Sequence, residues 1–398
     1  MTRKRLLMAS PNYWDSPFQV GSHHLARGFA RAGWDVAYLA DPVSPWHVLN
    51  GLNSDLRKRF ASFWSGGSSV CENKLWAYVP ASLITPHNKP LLRTEYVARN
   101  WHNWTVPNVV SLVRGKGFGQ VDLLYIDSLC QSFWLDVLEY QQAVYRVADY
   151  NPHLEKYTPA AERLERQMAQ RVDLVIYPSQ NLQGYAEALG ARRSFCLPNG
   201  VDFEHFASNP LPLPIEYQHL RRPIAVYVGV MPYWFNFDWV RQAARALPEV
   251  AFVLIGPDDL AREEFKGLEN IHLLGLKDYT AMPAYLQHAQ VGLMPFDFKK
   301  NPAGVGVLNP QKFYAYLACG LPVVSADWQE IRRLGGPARL CKTADQFINA
   351  TQSALAAPGD ADIYRRYAAG FDWKSRIPML LNALSSIQIE QEVMKRTG

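Results

Sequence analysis

The chain has 398 residues, with 41 Lys and Arg against 36 Asp and Glu and a net charge of +5. That length is too great for one hydrophobic core and predicts two domains. The small positive excess gives no reason to expect a nucleic-acid partner. The five cysteines are scattered without a CxxC pair, which predicts reduced thiols and no zinc site. No apolar run is long enough for a signal peptide or a membrane span, which favours a cytoplasmic protein.

The first half of the chain alternates between short apolar runs and amphipathic segments. Strands are predicted at 5–9, 35–39, 122–126, 144–148, 173–177 and 194–197. Helices are predicted at 23–32, with Ser22 as the cap, and at 159–170 and 181–189. This alternation predicts an α/β domain with a doubly wound parallel sheet. The first loop lacks GxGxxG, so no dinucleotide fingerprint is present.

The same alternation restarts after residues 207–222, which contain three prolines and are interpreted as a linker. Strands at 224–229, 251–255, 271–274 and 291–295 and helices at 234–246 and 282–288 predict a second domain of the same class. The predicted domains are 1–207 and 208–374, with a helix at 375–398 returning to the first. Ligands of such sheets bind at the carboxyl ends of the strands.

Residues 304–325, GVGVLNPQKFYAYLACGLPVVS, join a glycine-flanked loop, a helix carrying Lys312 and a buried strand. Free N–H groups at a helix start, together with a nearby lysine, can bind phosphate. The alternative is an ordinary connection with a surface lysine.

Eight of the twelve tryptophans lie in the first 134 residues. Between Lys89 and Lys116, five basic residues and one glutamate alternate with aromatic and aliphatic side chains. Residues 95–113 are predicted as an amphipathic helix, kinked at Pro107. Such a segment suits the interface of an anionic membrane, and the alternative is a core helix with a solvated basic face.

Four stretches resemble the GT-B glycosyltransferases in composition and order: 173–179 (DLVIYPS), 197–202 (LPNGVD), 227–229 (YVG) and 312–324 (Lys312 to GLPVV). Stretches 229–231, 293–296 and 309–316 are most similar to the GumK-type glucuronosyltransferases and the related TuaH teichuronic-acid family. The resemblance implies a GT-B fold, in which two Rossmann-like domains face a central cleft and a C-terminal helix crosses back to the N-terminal domain. It also implies an enzyme with a nucleotide sugar as co-substrate and no cofactor.

The resemblance places the nucleotide contacts in the second domain. Lys312 corresponds to the phosphate-binding lysine of GumK-like enzymes, and Met231 and Phe296 correspond to residues that line their nucleotide pocket. The other contacts predicted for the nucleotide or donor are Gly229, Gly275, Leu276, Gly304, Gln311 and Tyr316.

The sequence also departs from the family. Ala315 and Gly275 stand where a nucleotide-contacting side chain is expected, so the backbone at Gly275 and Leu276 would meet the base edge instead. Many retaining GT-B enzymes carry two glutamates at the positions of Val307 and Ala315. Their absence favours the inverting class.

An inverting transfer needs a base that takes the proton of the acceptor hydroxyl. Asp149 ends a predicted strand and matches the Arg-x-x-Asp context of the catalytic aspartate in the GumK-like family. The alternative is an aspartate that caps the next turn. No metal is expected, because Asp258 and Asp259 lack the DxD spacing; Lys312, the 304–307 loop and the helix start would stabilise the leaving phosphate.

Tyr13, Trp14, His23 and His24 follow the first strand and are candidate contacts for the acceptor or the sugar. The alternative for each is a buried structural role. The turn 199–202 is interpreted as structural.

The predicted function is an inverting, metal-independent glycosyltransferase that uses a UDP-sugar, with glucuronate as a candidate sugar. The predicted acceptor is a glycan or a polyprenyl-linked oligosaccharide in polysaccharide biosynthesis. The protein would be peripheral to the cytoplasmic face of the membrane, with its first domain on anionic lipid. The alternatives are a retaining GT-B enzyme with another donor, a GT-B epimerase or phosphorylase-like protein, and a nucleotide-sugar-binding protein without catalysis.

Overall fold

The computed structural model describes residues 3–397 except 49, 50, 52, 87, 88, 90, 155 and 156. The chain divides into two compact units, one reaching to Pro198 and resuming at Arg376, the other Asn199–Ser375. The division comes at 198 rather than at the predicted 207. The proline-rich segment belongs to the second unit, where Tyr217 is buried and Glu216 pairs with Lys277 at 2.6 Å.

The sheet of the first unit has the strand order β3-β4-β2-β1-β5-β6-β7-β8. Neighbouring strands run parallel except β3 and β4, which pair antiparallel at one edge. The sequence suggested a strand at 76–79, close to β4, but neither β3 nor the antiparallel pairing. The strands are β1 (Arg5–Ser10), β2 (Asp35–Ala40), β3 (Ser68–Val70), β4 (Leu75–Tyr78), β5 (Gln120–Ile126), β6 (Glu139–Arg146), β7 (Leu174–Tyr177) and β8 (Ser194–Cys196).

The helices of the first unit connect these strands and cover the sheet. Helix α7 shows the pattern: Thr158 caps its start, Pro159 is its first residue, and Leu164 and Met168 are buried at helical spacing. The helices are α1 (Gly21–Arg31), α2 (Pro45–Val48), α3 (Ser54–Trp64), α4 (Glu95–Asn100), α5 (Val109–Val113), α6 (Trp134–Val137), α7 (Pro159–Arg171) and α8 (Gln183–Ala188).

The second unit is built on six parallel strands in the order β11-β10-β9-β12-β13-β14. Its strands are β9 (Ile224–Val228), β10 (Ala251–Ile255), β11 (Ile271–Leu273), β12 (Val291–Met294), β13 (Val323–Ala326) and β14 (Ala338–Cys341). Its helices are α9 (Phe203–Phe206), α10 (Phe237–Ala246), α11 (Asp259–Glu264), α12 (Met282–Gln287), α13 (Pro302–Gly306), α14 (Gln311–Ala318), α15 (Gln329–Leu334), α16 (Ala344–Ala356) and α17 (Ala361–Ala369).

The last helix, α18 (Trp373–Thr397), begins in the second unit and continues in the first from Arg376. Its buried Leu380, Leu384 and Ile387 follow helical spacing. Gln142 on β6 donates a hydrogen bond to the carbonyl of Leu384 at 3.0 Å, which ties the helix to the first sheet. The predicted return of the C-terminal helix is therefore confirmed.

The single amphipathic helix predicted for 95–113 is wrong. Helix α4 ends at Asn100, a 3₁₀ turn covers Trp101–Trp104, and α5 begins after Asn108, whose side chain caps it. Pro107 cannot donate a helical hydrogen bond, so the chain breaks there. Trp101 is fully buried and donates to the carbonyl of Cys130, so this part of the segment is core and not an interface.

Other predicted boundaries also differ from the structure by a few residues. Helix α1 begins at Gly21, so Ser22 lies inside the helix rather than at its cap. Strand β6 ends at Arg146, which leaves Asp149 in the following loop. Helix α10 begins at Phe237, because the side chain of Asn236 accepts a hydrogen bond from the N–H of Trp239 and caps it there. In the part of the chain that the structure describes, no helix combines the length and apolar character needed to span a membrane.

Candidate functional site

The strand order of the second sheet reverses between β9 and β12, whose neighbours lie on opposite sides. Ligands of open α/β sheets bind outside the carboxyl ends of such a pair. The two loops there are joined by backbone hydrogen bonds from Asn236 to Pro295 at 2.8 Å and from Asp297 to Trp234 at 2.7 Å. They form one wall that places Phe296 beside the loop after β9.

A glycine follows β9 and another follows β10, at a point where the backbones of the two loops lie very close together. Gly229 has φ +136° and Gly256 has φ +153°, a region that other residues rarely adopt. A Cβ on Gly256 would collide with the carbonyl of Gly229, and one on Gly229 would lie 2.6 Å from the Lys312 ammonium. The N–H of Gly256 donates to the carbonyl of Gly275 at 2.9 Å, so a third glycine continues this edge.

Lys312, the second residue of α14, reaches this edge and lies against aromatic rings. Its Nζ is 4.0 Å from the centre of the Tyr227 ring and 5.1 Å from that of Phe296. Aromatic faces attract a cation but do not neutralise its charge. Burial lowers the pKa of Lys312 from its usual 10.5 to about 7. Among the described residues no carboxylate pairs with this ammonium group.

The turn before α14 is fixed from three directions through Asn309. Its carbonyl accepts from the side chain of Asn199 at 2.7 Å, and its Oδ1 accepts from the Tyr314 hydroxyl at 3.0 Å. Its Nδ2 faces the buried carboxylate of Glu330 at 3.4 Å. This network sets where α14, and therefore Lys312, begins. Asn199, interpreted from sequence as structural, has that role here.

The structure places Met231 and Phe296 in this wall, each about 5% exposed. Leu276, next to Gly275, is 47% exposed. The Phe296 ring packs edge-on against Trp328 at 5.8 Å. Gln311, partly buried, is the first residue of α14. These predicted residues therefore lie at or beside one edge of the sheet.

Two predicted features of this region are corrected by the structure. Tyr316 is fully buried, accepting from the N–H of Val228 at 2.9 Å and donating to the carbonyl of Leu293 at 3.4 Å. Its ring fills the space that a side chain on Gly292 would need. Tyr316 thus joins strands and does not face a ligand. Gly304 lies in the short helix α13 rather than in a loop, and its N–H bonds the Asn301 side chain at 2.9 Å.

In the first unit, Asp149 lies half-buried in the loop three residues after β6. Arg146, which ends β6, pairs with Asp127 at 3.6 Å, and both side chains are almost fully buried. Burial opposes the charge of Arg146, but the acidic groups of Tyr125, Asp127 and Asp149 outweigh it and raise its pKa. Asp149 is therefore close enough to Arg146 for their charges to interact.

A buried polar network lies at the carboxyl ends of β1 and β2. The Tyr38 hydroxyl donates to Ser10 at 2.9 Å, and Ser10 bonds the Ser22 hydroxyl at 3.0 Å. His23 accepts from the N–H of Val20 at its Nδ1, and its Nε2 lies 3.0 Å from the Tyr13 carbonyl. Burial lowers the pKa of His23 to about 4, so it is neutral at pH 7.

The four residues predicted to contact the acceptor are buried in or beside this network. His23 is completely buried with both ring nitrogens occupied, and Tyr13 and His24 are 4% exposed. Trp14 is 9% exposed, and the Arg27 guanidinium lies 4.7 Å from the centre of its ring. These four side chains therefore have the buried structural role that was the alternative to acceptor binding. Sequence reasoning missed Asp127, whose position directly after strand β5 was the available signal.

Within the described residues, no group of three or more His, Cys, Asp or Glu is arranged to hold a metal ion. The described cysteines are free thiols.

The two units match two families. Residues 8–178 match the family described as glucuronosyltransferase GumK, N-terminal domain. Residues 222–357 match the family described as glycosyl transferases group 1. The first match lies within the first unit and the second match within the second unit.

One curated relative and two solved structures agree with these matches. The chain is 25% identical over 224 residues to TuaH of Bacillus subtilis (strain 168), a candidate teichuronic acid biosynthesis glycosyltransferase, covering 52% of this chain and 56% of TuaH. It therefore spans about half the length of that curated relative. The structure of Anabaena HepE in complex with UDP-glucose is similar with TM-score 0.64 and 16% identity, covering 96% of this chain and 99% of that one. Sucrose-phosphate synthase from Thermosynechococcus elongatus is similar with TM-score 0.61 and 15% identity, covering 99% of both chains. The predicted GT-B fold is confirmed.

Proposed function

We propose that this chain, which has the GT-B fold, is a glycosyltransferase that transfers a sugar from a UDP-linked donor with inversion at the anomeric carbon. The observation that carries the proposal is Lys312, a lysine without a carboxylate partner among the described residues, at the ligand-binding edge of the second sheet. A diphosphate is the anion that this position suits. The UDP complexes of HepE support the choice of nucleotide.

In this proposal the leaving diphosphate is stabilised by Lys312 and the backbone N–H groups at the start of α14. Lys312 binds the nucleotide in its protonated form, because an anion favours the ammonium state. The glycines at 229 and 275 leave the backbone open to the nucleotide, while Met231 and Phe296 supply apolar contact. No role in ligand binding is assigned to Tyr316.

Asp149 is the proposed base. It takes the proton from the acceptor hydroxyl while that oxygen attacks the anomeric carbon and the bond to the nucleoside diphosphate breaks. Val307 and Ala315 occupy the positions of the two glutamates found in many retaining relatives, which supports direct displacement. Its charge acts on Arg146 at the end of β6, which places Asp149 near the carboxyl edge of the first sheet.

The relatives suggest which donor sugar and which acceptor to test first. The match to a GumK N-terminal domain makes UDP-glucuronate the first donor to test. The similarity to TuaH supports a glycan acceptor, which we place on a polyprenyl carrier.

Exposed apolar side chains of the first unit support the proposed contact with an anionic membrane. They include six that are more than half exposed, namely Trp46, Trp64, Leu83, Leu91, Tyr96 and Val106. Exposed Arg57, Lys58, Lys89 and Arg93 lie on the same stretches of sequence. Aromatic side chains with basic neighbours bind the headgroup region of anionic bilayers.

Sedimentation with vesicles containing anionic lipid, and with neutral vesicles as the control, tests this contact. Equal sedimentation with both would contradict it.

The function is tested in two steps. A thermal-shift screen compares UDP-glucuronate, UDP-glucose and GDP-, ADP- and dTDP-sugars, since a ligand of the folded state raises its stability. Transfer to a lipid-linked glycan is then measured with and without EDTA, and the anomeric configuration of the product is determined by NMR. A retained configuration would overturn inversion. Donor binding without transfer to any acceptor would favour the non-catalytic alternative.

A further inference from the structure

Behind the loop that carries Asp149 lies a completely buried carboxylate, Glu165 of α7. Its Oε1 accepts from the Tyr145 hydroxyl at 2.6 Å and from the Asn151 amide at 2.9 Å. Its Oε2 accepts from the hydroxyls of Tyr157 and Tyr185, each at 2.7 Å. Among the described residues it has no cationic partner, so these four donors hold the negative charge. We call these five residues the Glu165 cluster.

The donors come from the segments that surround Asp149. Tyr145 is next to the last residue of β6, and Asn151 is two residues after Asp149. Tyr157 is near the end of the same loop, and Tyr185 belongs to α8. The Tyr185 ring also packs edge-on against Tyr150, the neighbour of Asp149, with ring centres 4.9 Å apart. One buried carboxylate therefore connects both ends of this loop to two helices.

The cluster has a direct physical consequence for the loop. A buried carboxylate that loses a donor keeps its desolvation cost, so each bond resists being broken. Burial and the Glu165 charge raise the pKa of Tyr145, which keeps that hydroxyl protonated and donating. Of the four bonds, the one from Asn151 starts closest in sequence to Asp149. Together with the Tyr150 contact it restrains the backbone on the carboxyl side of Asp149.

We propose that Glu165 is a positioning residue for the transfer reaction, which holds the Asp149 loop through Asn151. This inference rests on the proposed role of Asp149 as the base. A base works only within hydrogen-bond reach of the proton it takes, and an error of about 1 Å can cost about a hundredfold in rate. Glu165 would thus affect turnover without touching the substrate.

The test uses the full-length protein with Asn151→Leu, which keeps the side-chain size but removes the amide donor. The expected result is a fall in kcat of about tenfold to a hundredfold, with the donor KM and the UDP Kd within twofold of wild type. Glu165→Gln, which exchanges one acceptor oxygen for an amide, should lower kcat in the same direction. Asn108→Ala is the control, because it removes a helix-cap hydrogen bond elsewhere in the first unit. Its kcat should not change.

A second measurement does not depend on activity. Amide hydrogen exchange of the peptide covering 147–154 should be at least tenfold faster in Asn151→Leu than in wild type, and unchanged in Asn108→Ala. Wild-type kcat and exchange in Asn151→Leu would overturn the positioning role. Absence of transfer by the wild-type protein, or full activity of Asp149→Asn, would instead contradict the proposed function, and the exchange rates would still decide whether Asn151 restrains the loop.

Discussion

At the carboxyl edge of the second sheet, Lys312 lies against two aromatic rings with no carboxylate beside it among the described residues. At the corresponding edge of the first sheet, Arg146 is buried in an ion pair with Asp127. Both edges are the carboxyl ends of parallel strands, but their charges are balanced differently. Lys312 has no carboxylate partner among the described residues, whereas the charge of Arg146 is balanced by Asp127.

This difference indicates what each edge can bind. Lys312, with its pKa lowered to about 7, gains stabilisation when an anion arrives. Arg146 gains little from a new anion, because Asp127 already occupies it and the charge of Asp149 acts on it too. We therefore assign the nucleotide to the second unit and the proton acceptor to the first. The predictions below test this division.

The largest effect is expected for Asp149→Asn. Removing a general base should lower kcat about a thousandfold, within the usual range for such groups. The Kd of UDP, measured by calorimetry, should remain within twofold because the proposed nucleotide contacts lie in the other unit. A folded variant that keeps wild-type turnover would remove Asp149 from the mechanism.

The first unit should also lose stability in acid through His23. Its folded pKa of about 4 is below the value of about 6.5 expected in the unfolded chain. Its contribution is present above pH 6.5 and is lost as the pH falls towards 4, because the unfolded chain binds the proton more tightly. The loss amounts to about 3 kcal/mol. Urea unfolding of wild type and His23→Gln between pH 7 and 4 checks this, since the variant should lack that part of the slope.

Lys312→Ala should weaken UDP binding about tenfold to a hundredfold, which corresponds to the loss of about 1.5–3 kcal/mol from charged hydrogen bonds. Lys266→Ala is a matched control, because Lys266 is an exposed lysine of the same unit and its removal changes the net charge equally. Calorimetry with both variants separates a local contact from a general charge effect. Equal affinities in the two would contradict the assignment.

The affinity for UDP should also depend on pH. Burial lowers the pKa of Lys312 in the free protein to about 7, and the bound phosphate favours the charged form, so the affinity falls as the pH rises above 7. The expected decrease between pH 7 and 8.5 is roughly tenfold. Lys312→Arg stays charged throughout this range, so its binding curve should be flat. A wild-type curve without this decrease would show that Lys312 is not the titrating contact.

The sequence was a better guide to the carboxyl edge of the second sheet than to that of the first sheet. The glycines at 229 and 275 and the lysine at 312 are local patterns, and each lies close to the end of a strand or the start of a helix. The buried pair Asp127 and Arg146 could not be predicted in this way. Its members are separated by a whole strand, and only the pairing of β5 with β6 brings them together.

Residues near the first loop failed for a related reason. Tyr13, Trp14 and His23 have side chains that suit sugar binding, but their burial depends on distant parts of the chain. Trp14 and His23 pack against Tyr38 of β2, and Tyr13 packs in a cluster that includes Leu56 and Val79. The helix predicted at 95–113 failed because Pro107 and the capping side chain of Asn108 outweighed the apolar spacing. The spacing of apolar residues predicts which face of a helix or strand is apolar. It does not predict which residues from distant parts of the chain will bury that face.

The smallest effect on binding is expected for Tyr316→Phe, the residue that the motif assigned to the nucleotide and the structure assigns to the core. Removing the hydroxyl leaves the N–H of Val228 without its partner, which should cost about 1 kcal/mol of stability. The UDP Kd should stay within twofold of wild type, because the ring that fills the space beside Gly292 is retained. Denaturant unfolding and calorimetry on the same preparation measure both quantities. A large loss of UDP affinity without a loss of stability would show that Tyr316 contacts the nucleotide. The nucleotide site would then extend further into the second sheet than the position of Lys312 indicates.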